Sequence, residues 1–416
     1  MSSERIRIAV VGAGIAGLTV ALALARNGLR CHVFEQARLL GEVGAGVQVA
    51  PNAARLLHRL GLADRLRRVA VRAQAIEMRR WDDNSVLCKT PLAGECEQRF
   101  GAPYYTVHRA DLHRCLLEQL PEGGMHLGLH CTDVQEHPDG VHLQFADGSS
   151  TTADLVVGAD GIHSRVRELL IRDRPRYSGQ SIYRALIPAE RASFVAAEPK
   201  VVLWLGPGQH CVRYPVSGGH RISLAATVPD PHWGAESWSA RGRVADLAEA
   251  YAGWNAEVRA LTSAPDTVSR WALYDRDCLP QWATERITVV GDAAHPMLPF
   301  LAQGANQAIE DAAALAACLR DAGRPGIAAA LARYEQIREP RTSEVHRISR
   351  ANTVALHLPD GAEQRRRDDV LAAHAGLAGQ DWIYGYDAEA AVTTTAGQQW
   401  PTGGESWRES VAKSRS

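Results

Sequence analysis

Residues 6–36, IRIAVVGAGIAGLTVALALARNGLRCHVFEQ, decide the first part of the fold. The β-branched run that opens them has the length of a buried strand, and the apolar run after the glycines predicts a helix. Gly12, Gly14 and Gly17 form GxGxxG, which permits a tight turn, close approach of backbone to a pyrophosphate, and close packing of helix on strand. A second strand ends at Glu35, where a carboxylate can accept hydrogen bonds from an adenosine ribose. The segment therefore predicts dinucleotide binding, and the acid favours FAD or NAD over NADP.

The same stretch must be distinguished from a membrane segment. It is nearly apolar over about 20 residues, the length that spans a bilayer, and it follows Arg5 and Arg7 as a signal peptide would follow basic residues. Its three glycines stand where a strand turns into a helix. We therefore predict a buried strand–helix unit and no membrane association.

The composition of the 416-residue chain narrows the class of protein. Apolar residues make up 46%, enough for a sizeable core, and 46 Lys and Arg balance 47 Asp and Glu. The net charge of −1 disfavours a nucleic-acid partner. The eight cysteines form no CxxC pair and no metal-ligand spacing, so we expect reduced thiols, a cytoplasmic location and no metal.

Two later segments repeat the strand-then-turn pattern. ADLVVGADGIHSRVR (residues 153–167) predicts a buried strand, an Asp-Gly turn and a helix. ERITVVGDAAH (residues 285–295) predicts another buried strand, ending in Gly-Asp. An Ala-rich helix and a second helix from about 325 to 355 follow, whereas residues 176–275 carry strand-like runs with Gly and Pro turns and little helix.

Three separated motifs together carry a family resemblance. They are VVGAGIAGLTVALAL from residue 10, VVGADGIHSRVR from residue 156 and VVGDAAHPMLPFLAQGANQAIEDA from residue 289. The chain resembles the single-component FAD-dependent aromatic hydroxylases, which are p-hydroxybenzoate hydroxylase-like flavoprotein monooxygenases. Within that family it is most similar to 6-hydroxynicotinate 3-monooxygenases, salicylate hydroxylases and 3-hydroxybenzoate 6-hydroxylases. The resemblance covers residues 5 to 355.

The resemblance implies a mixed α/β fold and a definite domain order. We expect a Rossmann-like FAD-binding domain at 1–175 with a β-rich excursion at 71–107, followed by a mainly antiparallel substrate domain at 176–275. The chain then returns to the FAD-binding domain and C-terminal helices at 276–392, and residues 393–416 are expected to form a flexible tail.

The resemblance also implies the chemistry. NADH or NADPH reduces non-covalent FAD, O2 adds to the reduced flavin at C4a, and the hydroperoxide transfers OH to a phenolic or hydroxylated (hetero)aromatic ring. An aromatic acid is the expected substrate, and loss of CO2 is possible if a carboxylate stands at the attacked carbon. The other expectations are a monomer or homodimer without a nucleic-acid partner. Two rival classes stay open: a flavin monooxygenase of a larger heteroaromatic (urate, a quinolone or a natural-product intermediate) and a non-enzymatic binder similar to GDP-dissociation inhibitors.

Matching to the family motifs assigns the cofactor contacts. Asp160 would order the Asp-Gly loop. Arg167 would either contact a phosphate or the coenzyme, or would act as a cap or a salt bridge on the surface. Asp292 would accept from a ribityl hydroxyl, cap the next segment, or do both. The full set of implied FAD contacts is Gly12, Gly14, Ala16, Gly17, Glu35, Gln36, Gln48, Arg109, Asp160, Asp292, Gly304 and Ala305.

The expected catalytic residues are His210 and Tyr214, in GQHCVRYPV. On a strand they share a face with Val212, so the three side chains would enter one pocket. His210 would take the phenol proton and Tyr214 would hydrogen-bond the substrate; the alternative is that both are ordinary sheet residues. The remaining expected substrate contacts are Gln48, Arg184, Pro299 and Phe300.

The chain departs from its subfamily at two positions. The 6-hydroxynicotinate pattern has His where this chain has Gln48 and Phe300. These changes predict a substrate larger or less polar than hydroxynicotinate. Arg184 would pair either with a substrate carboxylate or with a protein acid, and His295 is expected to be structural.

Overall fold

The computed structural model describes residues 6–41, 45–196, 199–231 and 241–393, so the expected flexible tail lies, except for its first residue, outside the described residues. The strands are β1 (Ile8–Val11), β2 (Cys31–Glu35), β3 (Gly46–Val49), β4 (Val71–Arg72), β5 (Ala75–Arg80), β6 (Val86–Pro91), β7 (Tyr105–His108), β8 (Met125–Leu127), β9 (Cys131–His137), β10 (Gly140–Phe145), β11 (Ser150–Ala153), β12 (Leu155–Gly158), β13 (Arg176–Pro188), β14 (Lys200–Gly206), β15 (Gln209–Val216), β16 (Arg221–Pro229), β17 (Arg241–Gly242), β18 (Val268–Asp275) and β19 (Ile287–Val289). The helices are α1 (Ile15–Arg26), α2 (Pro51–Arg59), α3 (Ala63–Val69), α4 (Glu95–Phe100), α5 (Arg109–Leu117), α6 (Ser193–Ala196), α7 (Val244–Ala250), α8 (Ala256–Ser263), α9 (Gly304–Leu319), α10 (Ile327–Ala355), α11 (Ala362–Ala373), α12 (Asp381–Tyr384) and α13 (Ala388–Thr393).

A five-stranded parallel sheet forms the first layer, in the order β19-β12-β1-β2-β8. β1 pairs with β2 on one side and with β12 on the other, and β12 pairs with β19. The three strands that the sequence assigned to separate Gly-containing junctions are therefore neighbours. Parallel strands end at a common edge, so the turns after β1, β12 and β19 meet there.

An eight-stranded sheet forms the second layer, in the order β17-β18-β13-β16-β15-β14-β5-β6. Six of its strands come from residues 176–275, and β5 and β6 come from the predicted β-rich excursion. Its pairs are antiparallel except β14 with β5, which run parallel. The predicted mixed α/β fold with an inserted antiparallel sheet is confirmed, although α7 and α8 also lie in this region.

The prediction of a helix after the Asp-Gly turn is wrong. β12 is followed by a loop and a single 3-10 turn at Arg167–Leu169. The carboxylate of Asp160 accepts hydrogen bonds from the Arg165 N–H (2.8 Å) and the Val166 N–H (3.3 Å), so the backbone wraps around this side chain. Backbone donors that are committed to a side chain five or six residues earlier are not available to a continuing helix.

The Ala-rich helix and the long helix occur where the sequence predicts them. α9 is buried along most of its length and packs against α1 and α10, which places its first turn beside the parallel sheet. No helix of the described ranges combines the length and the apolar character that crossing a membrane requires. The apolar segment near the N-terminus forms β1 and α1 in the core instead.

Candidate cofactor and substrate site

The glycine turn between β1 and α1 has the geometry that the sequence predicts. Gly12 has φ +102°, and a Cβ there would stand 2.4 Å from the Ala159 carbonyl oxygen. A Cβ at Gly17 would stand 1.9 Å from the Gly12 carbonyl oxygen, so α1 can approach the strand only because residue 17 has no side chain. At Gly14 a Cβ would meet nothing within 4 Å, which leaves open space over the turn. The first and third glycines thus serve packing, and the second faces a space that a ligand can enter.

Glu35 fixes the glycine loop through both of its carboxylate oxygens. Oε2 accepts from the Ala13 N–H at 2.8 Å, and Oε1 accepts from the Ala37 N–H at 2.8 Å. His113 supports the same loop, with its Nε2 2.7 Å from the Ala13 carbonyl oxygen. Each carboxylate oxygen can accept more than one hydrogen bond, so Glu35 keeps capacity for a ribose hydroxyl.

A groove of about 620 Å³ runs over this edge of the parallel sheet. Asp160 lies in its wall and accepts from its own loop, including the Ser164 hydroxyl at 2.5 Å. Gln36 also lies there, with Oε1 2.7 Å from His130 Nδ1. Six of the expected cofactor contacts line the groove: Gly12, Gly14, Glu35, Gln36, Arg109 and Asp160.

Arg109 and Asp292 form an oppositely charged pair of groups beyond the glycine loop. Desolvation lowers the pKa of Arg109, and the charge of Asp292 opposes this effect. Desolvation raises the pKa of Asp292, and His295 and Arg109 partly oppose it. Asp292 is an exposed residue. A carboxylate in such a place is suited to accept hydrogen bonds from a bound hydroxyl-rich ligand.

The loop from Gly291 to α9 rests on buried charges that the sequence did not reveal. Asp311 Oδ2 accepts from the Gly291 N–H at 2.9 Å and lies 2.6 Å from His295 Nε2. Arg338 donates from Nε to Asp311 Oδ1 at 2.8 Å. His295 is thereby structural, as expected. No local pattern marks these groups, because they meet only when α10 packs on α9.

The start of α9 lies at the inner end of the cleft. A Cβ at Gly304 would find its nearest atom, Met297 Cγ, at 3.9 Å, and Ala305 packs against the main core. Ala302, just before this turn, has φ +53°. Ala16 lies below, where it would stand 2.9 Å from a Cβ at Gly291. Gly304 and Ala305, the cofactor candidates at the start of α9, therefore carry no side chain larger than a methyl group.

These features fit FAD. The open Gly14 turn and its Glu35 support suit an adenosine pyrophosphate, and Arg109 and Asp292 suit the polar chain toward the flavin. The small residues at the start of α9 leave room for a planar ring. When bound, FAD supplies the oxidising power, with NAD(P)H as the reductant and O2 as the oxidant.

Tyr214 and Gln48 meet on the substrate side of this cleft. Gln48 Oε1 accepts from the Tyr104 hydroxyl at 2.7 Å, and the Gln48 backbone oxygen accepts from Asn306 Nδ2 at 3.0 Å. Burial raises the pKa of Tyr214, while Arg184, Ser223 and Gln48 oppose the rise. Gln48, on β3, therefore contacts Tyr104 and the first turn of α9 through Asn306, and it lies beside Tyr214.

Arg184 is a half-buried cation beside Tyr214. Arg184 on β13 pairs with Ala225 on β16, and Ala225 pairs with Val212 on β15. The three residues are therefore cross-strand neighbours in the sheet. The guanidinium carbon lies 5.0 Å from the centroid of the Trp271 ring, and Nε is buried without a hydrogen-bond partner. Desolvation lowers the pKa of Arg184, and Tyr214 opposes this effect. In the described part of the chain no carboxylate pairs with Arg184, so the structural ion pair considered above is absent.

His210 and Phe300 form the third part of the substrate side. The His210 ring lies edge-on to Phe300, with centroids 5.4 Å apart. Val212 and Tyr214 share one hydrophobic cluster, whereas Cys211 packs into another on the opposite face of β15. Pro299 stands next to Phe300 in a single 3-10 turn. His210, Val212 and Tyr214 thus look toward the same side, as the alternation of a strand predicts.

Arg167 lies apart from this site. It is 1% exposed, and it donates to Asp173 and to the backbone oxygens of Ala293 and Ala294, at 3.1 and 2.8 Å. The predicted surface position is therefore wrong: Arg167 does pair with an acid, Asp173, but its side chain is buried. Its contacts join the Asp-Gly loop to the loop that carries Asp292.

Comparison with known proteins agrees with this geometry. Residues 5–349 match the FAD binding domain family. The 3-amino-4-hydroxybenzoate 2-monooxygenase of Streptomyces platensis is 52% identical over 389 residues, which cover 93% of this chain and 98% of that protein. The 6-hydroxynicotinate 3-monooxygenase of Pseudomonas fluorescens is 38% identical over 354 residues, covering 84% and 92%. The crystal structure of Klebsiella pneumoniae HpxO with FAD and uric acid superposes with a TM-score of 0.81 at 28% identity, covering 95% and 99%.

The fold and the cleft define an FAD-binding oxidoreductase. The chain belongs to the FAD binding domain family, and it is an FAD-dependent aromatic monooxygenase. Tyr104, Trp271 and His357, which the sequence did not single out, contact Gln48, Arg184 and His210, respectively. Tyr104 lies in a segment that carries the resemblance, but nothing in the sequence placed any of the three against the substrate residues.

Proposed function

We propose that the substrate is a hydroxylated benzoate, with 3-amino-4-hydroxybenzoate as the first compound to test. One observation carries this proposal: Arg184 is half-buried beside Tyr214, its Nε is buried without a hydrogen-bond partner, and no acidic side chain among the described residues pairs with its guanidinium. Arginine binds carboxylates through paired N–H donors, and an unpaired buried charge is costly unless a ligand completes it. The Streptomyces relative acts on a benzoate, and Gln48 and Phe300 replace the histidines of the hydroxynicotinate pattern.

The other predicted residues receive roles under the same proposal. Tyr214 and Gln48 hydrogen-bond the substrate, and Val212, Pro299 and Phe300 form its apolar walls. His210, neutral because burial lowers its pKa well below the usual value, accepts a proton. The expected cofactor residues, from Gly12 to Ala305 as given above, hold FAD without a covalent bond. Water exclusion by the apolar walls favours oxygen transfer over loss of peroxide.

The chemistry of the ring calls for a proton acceptor. Loss of the hydroxyl proton raises the electron density of the ring, most at the carbons ortho and para to the oxygen. In 3-amino-4-hydroxybenzoate, C2 is meta to that oxygen, and the amino group, which is ortho to C2, supplies the donation there. A hydrogen on the attacked carbon must also leave before the ring becomes aromatic again. A neutral imidazole is suited to either proton transfer.

The test measures turnover and product together. Holoenzyme is mixed with NADH or NADPH and with 3-amino-4-hydroxybenzoate, salicylate, 3-hydroxybenzoate, 6-hydroxynicotinate, urate or a hydroxyquinoline, and product mass is read in the same samples. We expect a gain of one oxygen with a hydroxybenzoate, and a loss of CO2 would identify decarboxylation. Product from urate or the quinoline alone would replace the benzoate by the larger heteroaromatic class.

A matched pair of compounds isolates the carboxylate. 2-Aminophenol is 3-amino-4-hydroxybenzoate without its carboxyl group, so it should bind at least about 10-fold more weakly to the wild type. In Arg184→Met the two compounds should bind alike, and Arg184→Lys should restore part of the difference. Equal binding of the two compounds by the wild type would refute the role of Arg184.

The same proposal includes the organisation of the protein. We propose that residues 1–175 and 276–392 form the FAD-binding domain, except that β5 and β6 join residues 176–275 in the substrate domain. All eight cysteines are free thiols, which supports a cytoplasmic location. Size-exclusion chromatography with light scattering distinguishes a monomer from a homodimer.

A further inference from the structure

His357 lies directly against His210. His210 Nδ1 and His357 Nε2 are 2.7 Å apart, and the two ring planes are 21° from parallel. The Phe300 ring is nearly perpendicular to both imidazole rings, and its centroid lies 5.4 Å from that of His210 and 5.5 Å from that of His357. Both histidines are buried, at 5% and 8% exposed. Only one of these two nitrogens can carry a hydrogen, because a hydrogen bond needs one donor and one acceptor. The tautomer of each ring therefore determines the tautomer of the other.

The surrounding contacts hold this pair in place. The Gly208 N–H donates to the His357 carbonyl oxygen at 3.0 Å, which ties the end of α10 to the turn before β15. The Tyr251 hydroxyl donates to the carbonyl oxygens of His210 (2.8 Å) and Thr227 (2.6 Å). The Thr227 hydroxyl lies 3.3 Å from His210 Nδ1 and 3.4 Å from His357 Nε2. These hydrogen bonds fix the backbone around both histidines and so hold the two rings in contact.

The backbone of α10 indicates which nitrogen carries each proton. Desolvation lowers the pKa of His357 to about 4, and hydrogen bonding to the Thr353 backbone opposes the fall. His357 Nε2 is occupied by His210, and Nδ1 is buried without a hydrogen-bond partner that meets the usual geometric limits. A carbonyl oxygen only accepts, so the influence of the Thr353 backbone favours a hydrogen on Nδ1, and we assign it there. His357 Nε2 then accepts from His210 Nδ1–H, and His210 Nε2 keeps its lone pair.

Few other charges act on the pair. Arg367 lowers the pKa of His357, and its guanidinium is itself paired with Asp368 at 2.8 Å. Desolvation lowers the pKa of His210 well below its usual value, with His357 adding to the effect. Both rings are therefore neutral at neutral pH. A proton that arrives at His210 Nε2 creates a buried imidazolium that needs a partner.

We propose that His357 is a positioning residue: it holds His210 as the Nδ1–H tautomer and stabilises the imidazolium that forms when His210 Nε2 takes the proton of the substrate hydroxyl. In this step the substrate O–H bond breaks and an N–H bond forms. The products are a phenolate and an imidazolium, and no electrons are exchanged. The Nδ1–H bond to His357 persists and becomes charge-assisted. The inference rests on the proposed function, because the hydroxyl belongs to the proposed substrate.

Two variants separate the polar role from the space that the ring fills. His357→Gln keeps an acceptor for the His210 N–H, and His357→Phe keeps a ring but removes the acceptor. His374→Phe, at an exposed histidine on the same C-terminal region, is the control. Unfolding temperature and FAD content show that each variant is folded and loaded.

The first readout is the tautomer of His210 in ¹⁵N-histidine-labelled holoenzyme, which needs no substrate. We expect a protonated Nδ1 and an unprotonated Nε2 in the wild type and in His357→Gln, and a mixture of tautomers in His357→Phe. A protonated Nε2 in the wild type, or an unchanged tautomer in His357→Phe, would overturn the proposal.

The second readout is the ionisation of a bound chromophore, 4-hydroxy-3-nitrobenzoate, followed as a difference spectrum against pH. Losing a hydrogen bond to a charged group should lower the acid dissociation constant of the bound phenol about 10-fold or more in His357→Phe, with His357→Gln close to the wild type. An unchanged constant in His357→Phe would refute the role of His357. If no hydroxybenzoate binds, the proposed function fails, and the tautomer readout alone decides the inference.

Discussion

Arg338 is the buried cation behind the loop that carries Asp292. It is 0% exposed and donates to Glu310 at 2.5 Å, to Asp311 at 2.8 Å and to the Gln307 side chain at 2.8 Å. We predict that Arg338→Met, which keeps much of the side-chain volume, lowers the free energy of unfolding by about 3–5 kcal/mol, because both carboxylates lose a buried partner. Two charge-assisted hydrogen bonds at about 1.5–3 kcal/mol each give about 3–6 kcal/mol, which overlaps this range.

The structure also limits this loss. Glu310 keeps Arg341 at 2.7 Å, and Asp311 keeps His295 at 2.6 Å. The expected value therefore lies toward the lower end of the range. The matched control is Arg347→Met on the same helix, because Arg347 is 50% exposed and pairs with Glu344; it should cost less than about 1 kcal/mol.

The pH dependence of this loss has a definite sign. Desolvation alone would raise the pKa of Glu310 and Asp311, but the surrounding cations outweigh it and lower both values. Carboxyl groups with a lowered pKa in the folded state stabilise the protein above their unfolded pKa and lose this contribution as pH falls through the folded value. Arg338→Met raises both pKa values, so the difference from the wild type should shrink as pH falls from 7 toward 4. Urea unfolding followed by circular dichroism measures it; a loss equal to that of Arg347→Met at pH 7, or one that grows in acid, would refute this reasoning.

Three further predictions concern the cofactor and substrate sides. Gly14→Ala should leave the free energy of unfolding nearly unchanged but weaken FAD binding about 10-fold or more, whereas Gly12→Ala should impair folding because its Cβ would meet the Ala159 oxygen at 2.4 Å; fluorescence titration with FAD distinguishes them, and equal FAD affinity in Gly14→Ala and wild type would contradict this. Asp292→Asn should raise the unfolding temperature of the FAD-free protein at pH 8 and not at pH 4, because a carboxyl with a raised folded pKa costs stability only where the unfolded chain is ionised; thermal scans at both pH values test the sign. Tyr214→Phe should weaken binding of the benzoate about 10-fold with FAD content unchanged, because one buried hydrogen bond is lost; unchanged binding would remove Tyr214 from the substrate site.

The cofactor side could be predicted because its determinants are local. The glycine turn, the following helix and Glu35 lie within one strand–helix–strand unit, and each glycine has a backbone reason that a short window reveals. The same window failed after Asp160, because the backbone N–H groups of Arg165 and Val166 bond to that side chain instead of continuing a helix. An aspartate favours turns, and its carboxylate can accept hydrogen bonds from the backbone N–H groups that follow. These N–H groups are then not available for helical hydrogen bonds.

The substrate side could be predicted only in part because its decisive facts are relations between distant segments. Alternation along β15 correctly placed His210, Val212 and Tyr214 on one face. Whether Arg184 pairs with a protein acid depended on which side chains approach it from β18, and Trp271 does so instead of a carboxylate. No periodicity or motif in the sequence could show that Arg184 has no carboxylate beside it.

His357 extends this point from recognition to chemistry. It lies two residues past the end of α10, a helix of 29 residues that begins after β19 and α9. Because α10 also carries Arg338, one helix supports the loop behind the FAD and ends beside the proposed base. A change in the helix's position would alter both sides of the cleft at once, whereas substitution of Arg184 should alter only carboxylate recognition. The double variant Arg184→Met with His357→Phe should therefore show additive losses in ligand affinity and phenol ionisation, and strong non-additivity would mean that the two residues are coupled through the sheet.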